Sequence, residues 1–192
     1  MVSIEKIIRE SLAVKQAFLD DKKQVGLVQT AGEYCVECFG QDGKILLCGN
    51  GGSAADAQHI AAELSARFQF DRRPLYAEAL HVNSSYVTAV ANDYDYTKVF
   101  SRMVEAAGRK GDILIALSTS GNSKNVLEAV KQAKIQGMTV IGLTGAKGGA
   151  LAKEAELCLQ VPSDNTARIQ EVHILIGHIL CEIIEETMFH KG

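Results

Sequence analysis

Residues 44–48 (KILLC) run into residues 49–53 (GNGGS), and residues 112–117 (DILIAL) run into residues 118–123 (STSGNS). In both places a short apolar run ends in small polar residues, and a helical pattern follows. A buried strand that stops in glycines and hydroxyls at a helix N-terminus aims backbone N–H groups and the positive end of the helix dipole at one spot. An oxyanion suits that spot, most often a phosphate. Ser118, Thr119, Ser120 and Ser123 add donors without adding charge, and Gly121 lets the backbone come close. The repeated strand–loop–helix unit predicts an α/β fold that holds a phosphate.

The flanking sequence continues the alternation. Helices are predicted over 4–19 and 26–39, then strand 44–48, helix 53–68, a short strand over 77–81 and helical stretches across 84–107. Strand 112–117, helix 122–136, strand 138–143, a short helix over 149–154, strand 156–161 and a last helix over 167–189 follow. Strands alternating with helices argue for a parallel sheet covered on both faces. Pro74 falls in a charged link and Pro162 ends the last strand. The last helix is apolar on nearly every side, so it is expected to be buried all round, its outer faces covered by another subunit.

With 192 residues, 47% of them hydrophobic, the chain suffices for one domain with one good-sized core. A net charge of −3 leaves no electrostatic footprint for nucleic acid or an anionic membrane. Charges across residues 1–13 argue against a secretory signal, and no apolar run approaches transmembrane length. The five cysteines are odd in number and scattered, which fits reduced thiols in the cytoplasm. Cys35 and Cys38 form a C-x-x-C, but with no second pair and a helical context they read as two thiols on one helix face rather than a zinc or redox site.

Gly49–Ala55 matches the G-x-G-x-x-A of dinucleotide sites, but that fingerprint wants a carboxylate at the end of the second strand, where Leu80–Asn83 offers none. A P-loop is excluded because no Lys-Ser or Lys-Thr follows the glycines. A sugar phosphate is the favoured ligand, against the plainer reading of two tight turns. The helix after the first loop carries Asp56, His59 and Glu63, the last two at i and i+4 on one face. Imidazole and carboxylate at that spacing form half a metal site, a general base with its partner, or a solvated ion pair. On the last helix Gln170, His173 and His178 interrupt the apolar surface. A lone buried His is commonly a satisfied core residue, whereas two with a Gln ask for more.

The segments GNGGSAADAQHIAAEL, AND at 91–93, LSTSGNS, LTG at 143–145 and ARIQEVHILIGH closely resemble the sugar-isomerase (SIS) family, in particular the bacterial phosphoheptose isomerases, over essentially the whole chain. The resemblance implies a single three-layer SIS domain over 1–192, a central parallel sheet flanked by helices, with an N-terminal helical pair and a long C-terminal helix. Residues 1–40 would belong to the oligomer core. It implies an aldose–ketose isomerase that interconverts sedoheptulose 7-phosphate and D-glycero-D-manno-heptose 7-phosphate through an enediol. That would be the first step toward ADP- or GDP-heptose for lipopolysaccharide or capsule. By the same resemblance a divalent metal, usually zinc and one per subunit, maps onto His59, Glu63, Gln170 and His178, with no nucleotide cofactor. The acid/base pair maps onto Glu63 and His178. Substrate contacts map onto Asn50, Gly51, Gly52, Glu63, Asn92, Asp93, Ser118, Thr119, Ser120, Ser123 and Gln170, with Arg67 and Asp95 as further candidates. Ala167 stands where some members carry Asp.

Two other readings stay open beside this one. A non-enzymatic branch of the fold binds the replication initiator, but the presence of Glu63 and His178 favours the enzyme. An isomerase for a pentose or hexose phosphate would share the motifs. Gln170 and His178 stand eight residues apart on one helix, about 12 Å along it and roughly 80° around it. A neighbouring chain is therefore expected to contribute one of them, giving a site shared between subunits of a homotetramer.

Overall fold

Five parallel strands form one sheet in the computed structural model, which describes residues 2–189. They are β1 (Ile45–Cys48), β2 (Ala77–Ala79), β3 (Ile113–Leu117), β4 (Thr139–Thr144) and β5 (Leu157–Gln160), in spatial order β2-β1-β3-β4-β5. The helices are α1 (Ile4–Asp20), α2 (Lys22–Gly40), α3 (Gly52–Ser65), α4 (Ser84–Asp93), α5 (Val99–Ala107), α6 (Lys124–Ile135), α7 (Leu151–Glu154) and α8 (Thr166–Phe189). This is the layered α/β architecture the alternation predicts.

Side chains alternate across each strand, so every central strand feeds two cores. Ile45, Leu47, Ile113, Ile115 and Leu117 pack against α2, α3 and α8. Leu46, Cys48, Leu114 and Ala116 pack against Val90 of α4, Phe100 and Val104 of α5 and Val126 of α6. A parallel sheet buried on both faces needs such unbroken apolar runs, which is why KILLC and DILIAL were readable. The register of β1 against β3, Ile45 opposite Ile113, is pinned by one buried carboxylate. Asp112 accepts the backbone N–H of Lys44 at 3.0 Å and that of Arg109 at 2.8 Å, and pairs with the Lys44 ammonium at 2.5 Å.

Several boundaries differ from the periodicity for local reasons. The second helix begins at Lys22 rather than 26, because the Asp21 side chain caps it by accepting the N–H groups of Lys23 and Gln24. The third stops at Ser65 rather than 68, because the Glu185 carboxylate takes the N–H groups of Phe68 and Gln69 that a continued helix would have used. The stretch 84–107 breaks after Asp93, and Asp95 starts a short 3-10 turn (Tyr96–Lys98) by accepting the Thr97 N–H. Cys35 and Cys38 both point into the core, and burial, helped by Asp112, pushes the Cys38 thiol up to about 11. No helix among the described residues is long and apolar enough to cross a membrane.

Within a single chain the last helix is covered on one side and leaves open the outer face that the sequence reading assigns to another subunit. Ile169, Val172, Ile176, Leu180 and Ile184 are buried, whereas Leu175 is exposed and Ile179 and Ile183 are half-buried. Those three line a groove with Leu12, Phe18 and Leu19 of α1 and Val25 and Val28 of α2. His173, a candidate for chemistry in the sequence, is instead a core residue. It is fully buried, with Nε2 3.2 Å from the Thr144 carbonyl.

Burial pushes the His173 imidazole down to about 4 from 6.5, against the opposing hydrogen bond to Thr144, so the folded protein holds it neutral at pH 7. Below pH 6.5 the unfolded chain takes a proton there that the folded protein refuses. The stability this group allows is therefore whole above pH 6.5 and is lost as pH falls toward 4, by about 3 kcal/mol. Urea unfolding of the wild type should weaken more steeply over that window than that of His173→Leu. Parallel pH curves would refute the assignment.

Candidate active site

Helix α3 leaves β1 on one face of the sheet and α6 leaves β3 on the other, so the crevice at the carboxyl ends of these neighbouring strands is a topological switch point. Both loops singled out in the sequence open into it. Gly51 has φ +57, a conformation suited to glycine, and it caps α3 without a side chain, leaving the first-turn amides uncovered by a capping group. Opposite, the Ser118 and Ser123 hydroxyls meet at 3.0 Å, and the Ser120 hydroxyl accepts the Asn122 N–H at 3.2 Å. Gly121, at φ +66, is crossed by the backbone of Gly148 and Gly149, so closely that a Cβ would strike the Gly148 carbonyl.

The two loops are fastened to each other. Asn50 and Asn125 exchange amide hydrogen bonds, 2.8 Å each way, and the Tyr96 hydroxyl donates to the same Asn50 oxygen at 3.2 Å. Asn125 and Tyr96 were not picked out from the sequence. Nothing in their spacing marks them, since their partner is 75 residues away in one case and 46 in the other.

Helices α3 and α8 run side by side in the same direction, Gly52 against Gln170, Ile60 against Gly177 and His59 against His178. A Cβ on Gly177 would stand 2.5 Å from the Ile60 side chain, so the glycine sets how closely the helices approach. That approach brings His178 Nε2 to 3.4 Å from His59 Nε2, while His59 Nε2 lies 3.1 Å from Glu63 Oε1. Ligand atoms of His59, Glu63 and His178 all fall within 4.8 Å of one another. Adjacent ligands of a tetrahedral zinc, with bonds near 2 Å, stand about 3.3 Å apart, so two edges of this triangle fit a divalent ion. Two imidazole nitrogens facing each other also need a shared positive centre or proton to be favourable. Phe68 stacks on the far side of His178, ring centres 5.6 Å apart and 26° from parallel.

His178 reaches His59 and Glu63 within one chain, so of the pair Gln170 and His178, one of which a neighbour is expected to contribute, His178 needs none. Their spacing on α8 does separate Gln170, whose amide lies against Gly52 at the loop end of the α3–α8 contact. Asn92 and Asp93 form an exposed pair at the end of α4, amide to carboxylate at 2.8 Å. Arg67 is exposed just past the end of α3, and Ala167 is exposed in the first turn of α8. Asp95 is accounted for by its capping of Thr97, whose hydrogen bonds hold its carboxyl below the ordinary value. Asp56 has one buried oxygen with no partner among the described residues, and burial pushes its carboxyl up to about 6 against the pull of His59.

The SIS domain family model matches residues 8–145. A phosphoheptose isomerase of Sulfurimonas denitrificans is 49% identical over 98% of this chain and 97% of its own. A solved phosphoheptose isomerase from Neisseria gonorrhoeae superposes with a TM-score of 0.89 at 46% identity, covering 95% of this chain and 97% of the other. One from Francisella tularensis gives a TM-score of 0.91 at 40% identity, covering 97% and 100%.

The Gly177 contact can be tested directly. Gly177→Ala should force Ile60 and the two helices apart and cost about 1–3 kcal/mol of stability in urea unfolding. Unchanged stability in the Gly177→Ala protein would remove the glycine from the account.

Proposed function

The chain belongs to the phosphoheptose isomerases of the SIS domain family, and from that premise we propose how its residues divide the work. The enzyme interconverts sedoheptulose 7-phosphate and D-glycero-D-manno-heptose 7-phosphate, a carbonyl shift between C2 and C1. The reacting carbons and the phosphate sit at opposite ends of a seven-carbon chain. Two separate constellations suit such a substrate, the hydroxyl-lined loop for the phosphate and the imidazole–carboxylate cluster for the carbonyl end.

The observation that carries the assignment is the convergence of Glu63 with His59 and His178. Starting from the ketose, Glu63 takes the proton from C1 while His178 delivers one to the C2 oxygen, and the enediol forms. His178 then takes the proton from the C1 oxygen as Glu63 returns its proton to C2, which completes the aldose. Glu63 Oε1 faces His59, so Oε2 is the oxygen assigned to the carbon. A divalent ion, which we take to be zinc, would be held by His59, Glu63 and His178 with Gln170 as a candidate fourth ligand, and when bound would polarise the substrate carbonyl. Ser118, Thr119, Ser120 and Ser123 with the α6 N-terminus are assigned to the phosphate. Asn50, Gly51, Gly52, Asn92, Asp93 and Gln170 are assigned to the sugar.

We also assign the groove between α1, α2 and α8 to subunit contact in a homotetramer, with residues 1–40 in its centre. Ile4, Ile8 and Leu12 are exposed along α1 beside that groove, and they are large apolar groups with nothing of this chain to cover them. The buried free thiols suit the cytoplasm.

A coupled assay across sedoheptulose 7-phosphate, fructose 6-phosphate and ribulose 5-phosphate should show turnover with the heptulose. Glu63→Gln should abolish it while sugar phosphate still binds, and His178→Gln should lose on the order of a hundredfold or more. Mixing the two inactive variants should restore nothing, since both residues act within one chain. In the same assay Ser120→Ala with Ser123→Ala should raise KM far more than it lowers kcat. An active Glu63→Gln enzyme, or a heptulose phosphate that is not turned over, would overturn the assignment. Light scattering should give four chains per particle, and Leu12→Asp should reduce that number. A wild-type monomer at assay concentration would rule the tetramer out.

A further inference from the structure

We infer that the buried Arg72–Glu185 pair is a positioning device for the His178 imidazole and that it acts through the ring of Phe68. The inference rests on the reading of His178 as a working group of the site. Helix α3 ends immediately after its two site residues, and no glycine follows to turn the chain. Arg72 makes that end. Its guanidinium donates to the Glu63 carbonyl at 2.8 Å and to the Leu64 carbonyl at 2.9 Å, the latter shared with the Leu75 N–H, so it takes up acceptors of the last turn.

The same guanidinium donates through Nε to Glu185 at 2.7 Å. Glu185 also accepts the backbone N–H groups of Phe68 and Gln69, both at 2.8 Å. The two side chains are each 1% exposed. Glu185 stands seven residues after His178 on α8, about two turns, so both project from one side of that helix. One helix therefore supplies the imidazole and also the carboxylate that fixes the backbone of the ring lying against it. With Phe68 stacked on one side and His59 edge-on at 5.0 Å, the plane of the His178 ring is set and its Nε2 is turned toward His59.

Stability alone is a poor reason for such a pair. Replacing a buried ion pair by apolar side chains of similar volume is often neutral or stabilising, by about 1–4 kcal/mol. An apolar pair could fill the same space. It could not accept two backbone N–H groups and donate to two carbonyls at once, and those four bonds define where residues 63–69 lie.

The test uses the intact protein without substrate. In wild type the His178 ring protons, assigned by their loss in His178→Gln, should carry an upfield ring-current shift from Phe68. Glu185→Gln and Arg72→Lys keep that phenyl ring yet should lose the shift, and kcat should fall about tenfold to a hundredfold with KM for the sugar phosphate little changed. Phe68→Tyr should keep both the shift and the rate, whereas Phe68→Leu should reproduce the kcat loss without lowering the Tm. A clamp variant that lowers the Tm but keeps the shift and kcat would overturn the inference. Should neither clamp variant fold, Phe68→Leu decides, and wild-type kcat there overturns it. The shift is read without turnover, so failure of the acid/base assignment would show separately, as an active Glu63→Gln enzyme.

Discussion

The pairing of β1 with β3, with the next helix leaving each on a different face, is the constraint from which the site follows. One buried carboxylate, Asp112, holds the starts of both strands, so their far ends finish level and their loops open side by side. Neither loop would form a cradle alone. Together they bring a glycine turn and a row of hydroxyls to one crevice, and the reciprocal amides of Asn50 and Asn125 fasten them there. The position of α3 is then fixed by its loop, and with it the line on which His59 and Glu63 project.

Helix α8 shows how surroundings rather than residue type assign roles. His173 sits in the core, is held neutral and serves the Thr144 carbonyl. Five residues on, His178 stands half-buried at the rim beside a second imidazole and a carboxylate. Glu185 lies deeper than His178, yet it stays ionised. Burial raises its carboxyl, but the amides of Gln69 and Phe68 and the Arg72 guanidinium outweigh this and hold it below the ordinary value. The same helix thus carries a structural imidazole, the imidazole proposed for chemistry and a structural carboxylate.

What was legible in the sequence was local. KILLC and DILIAL announced strands because both faces of a parallel sheet are buried, and His59 and Glu63 declared a shared face by their spacing of four. The shortened α3 was illegible because its stop is made by Glu185, 117 residues from Phe68, and no local signal marks such a partner. Asn125 was missed for the same reason. The spacing of Gln170 and His178 keeps the two apart in the fold, and which of them a neighbour would supply was not legible in it. Two parallel helices already bring His178 to His59, while Gln170 meets the start of α3 instead.

The crossing of Gly121 by Gly148 and Gly149 has a consequence for how this enzyme can diverge. Three glycines, all at positive φ, leave no room for a single methyl group: at Gly121 and Gly149 it would strike main chain, and at Gly148 the side chains of Gln160 and Ala152, so the shape of that crossing is set largely by the backbone. Mutation there disrupts the loop instead of adjusting it. If that loop holds the phosphate as proposed, new sugars would be admitted from the other end of the crevice, where the exposed residues 92–94 stand apart from the Tyr96 bond to Asn50. A lineage of such proteins would be expected to keep one anchor and vary its reach.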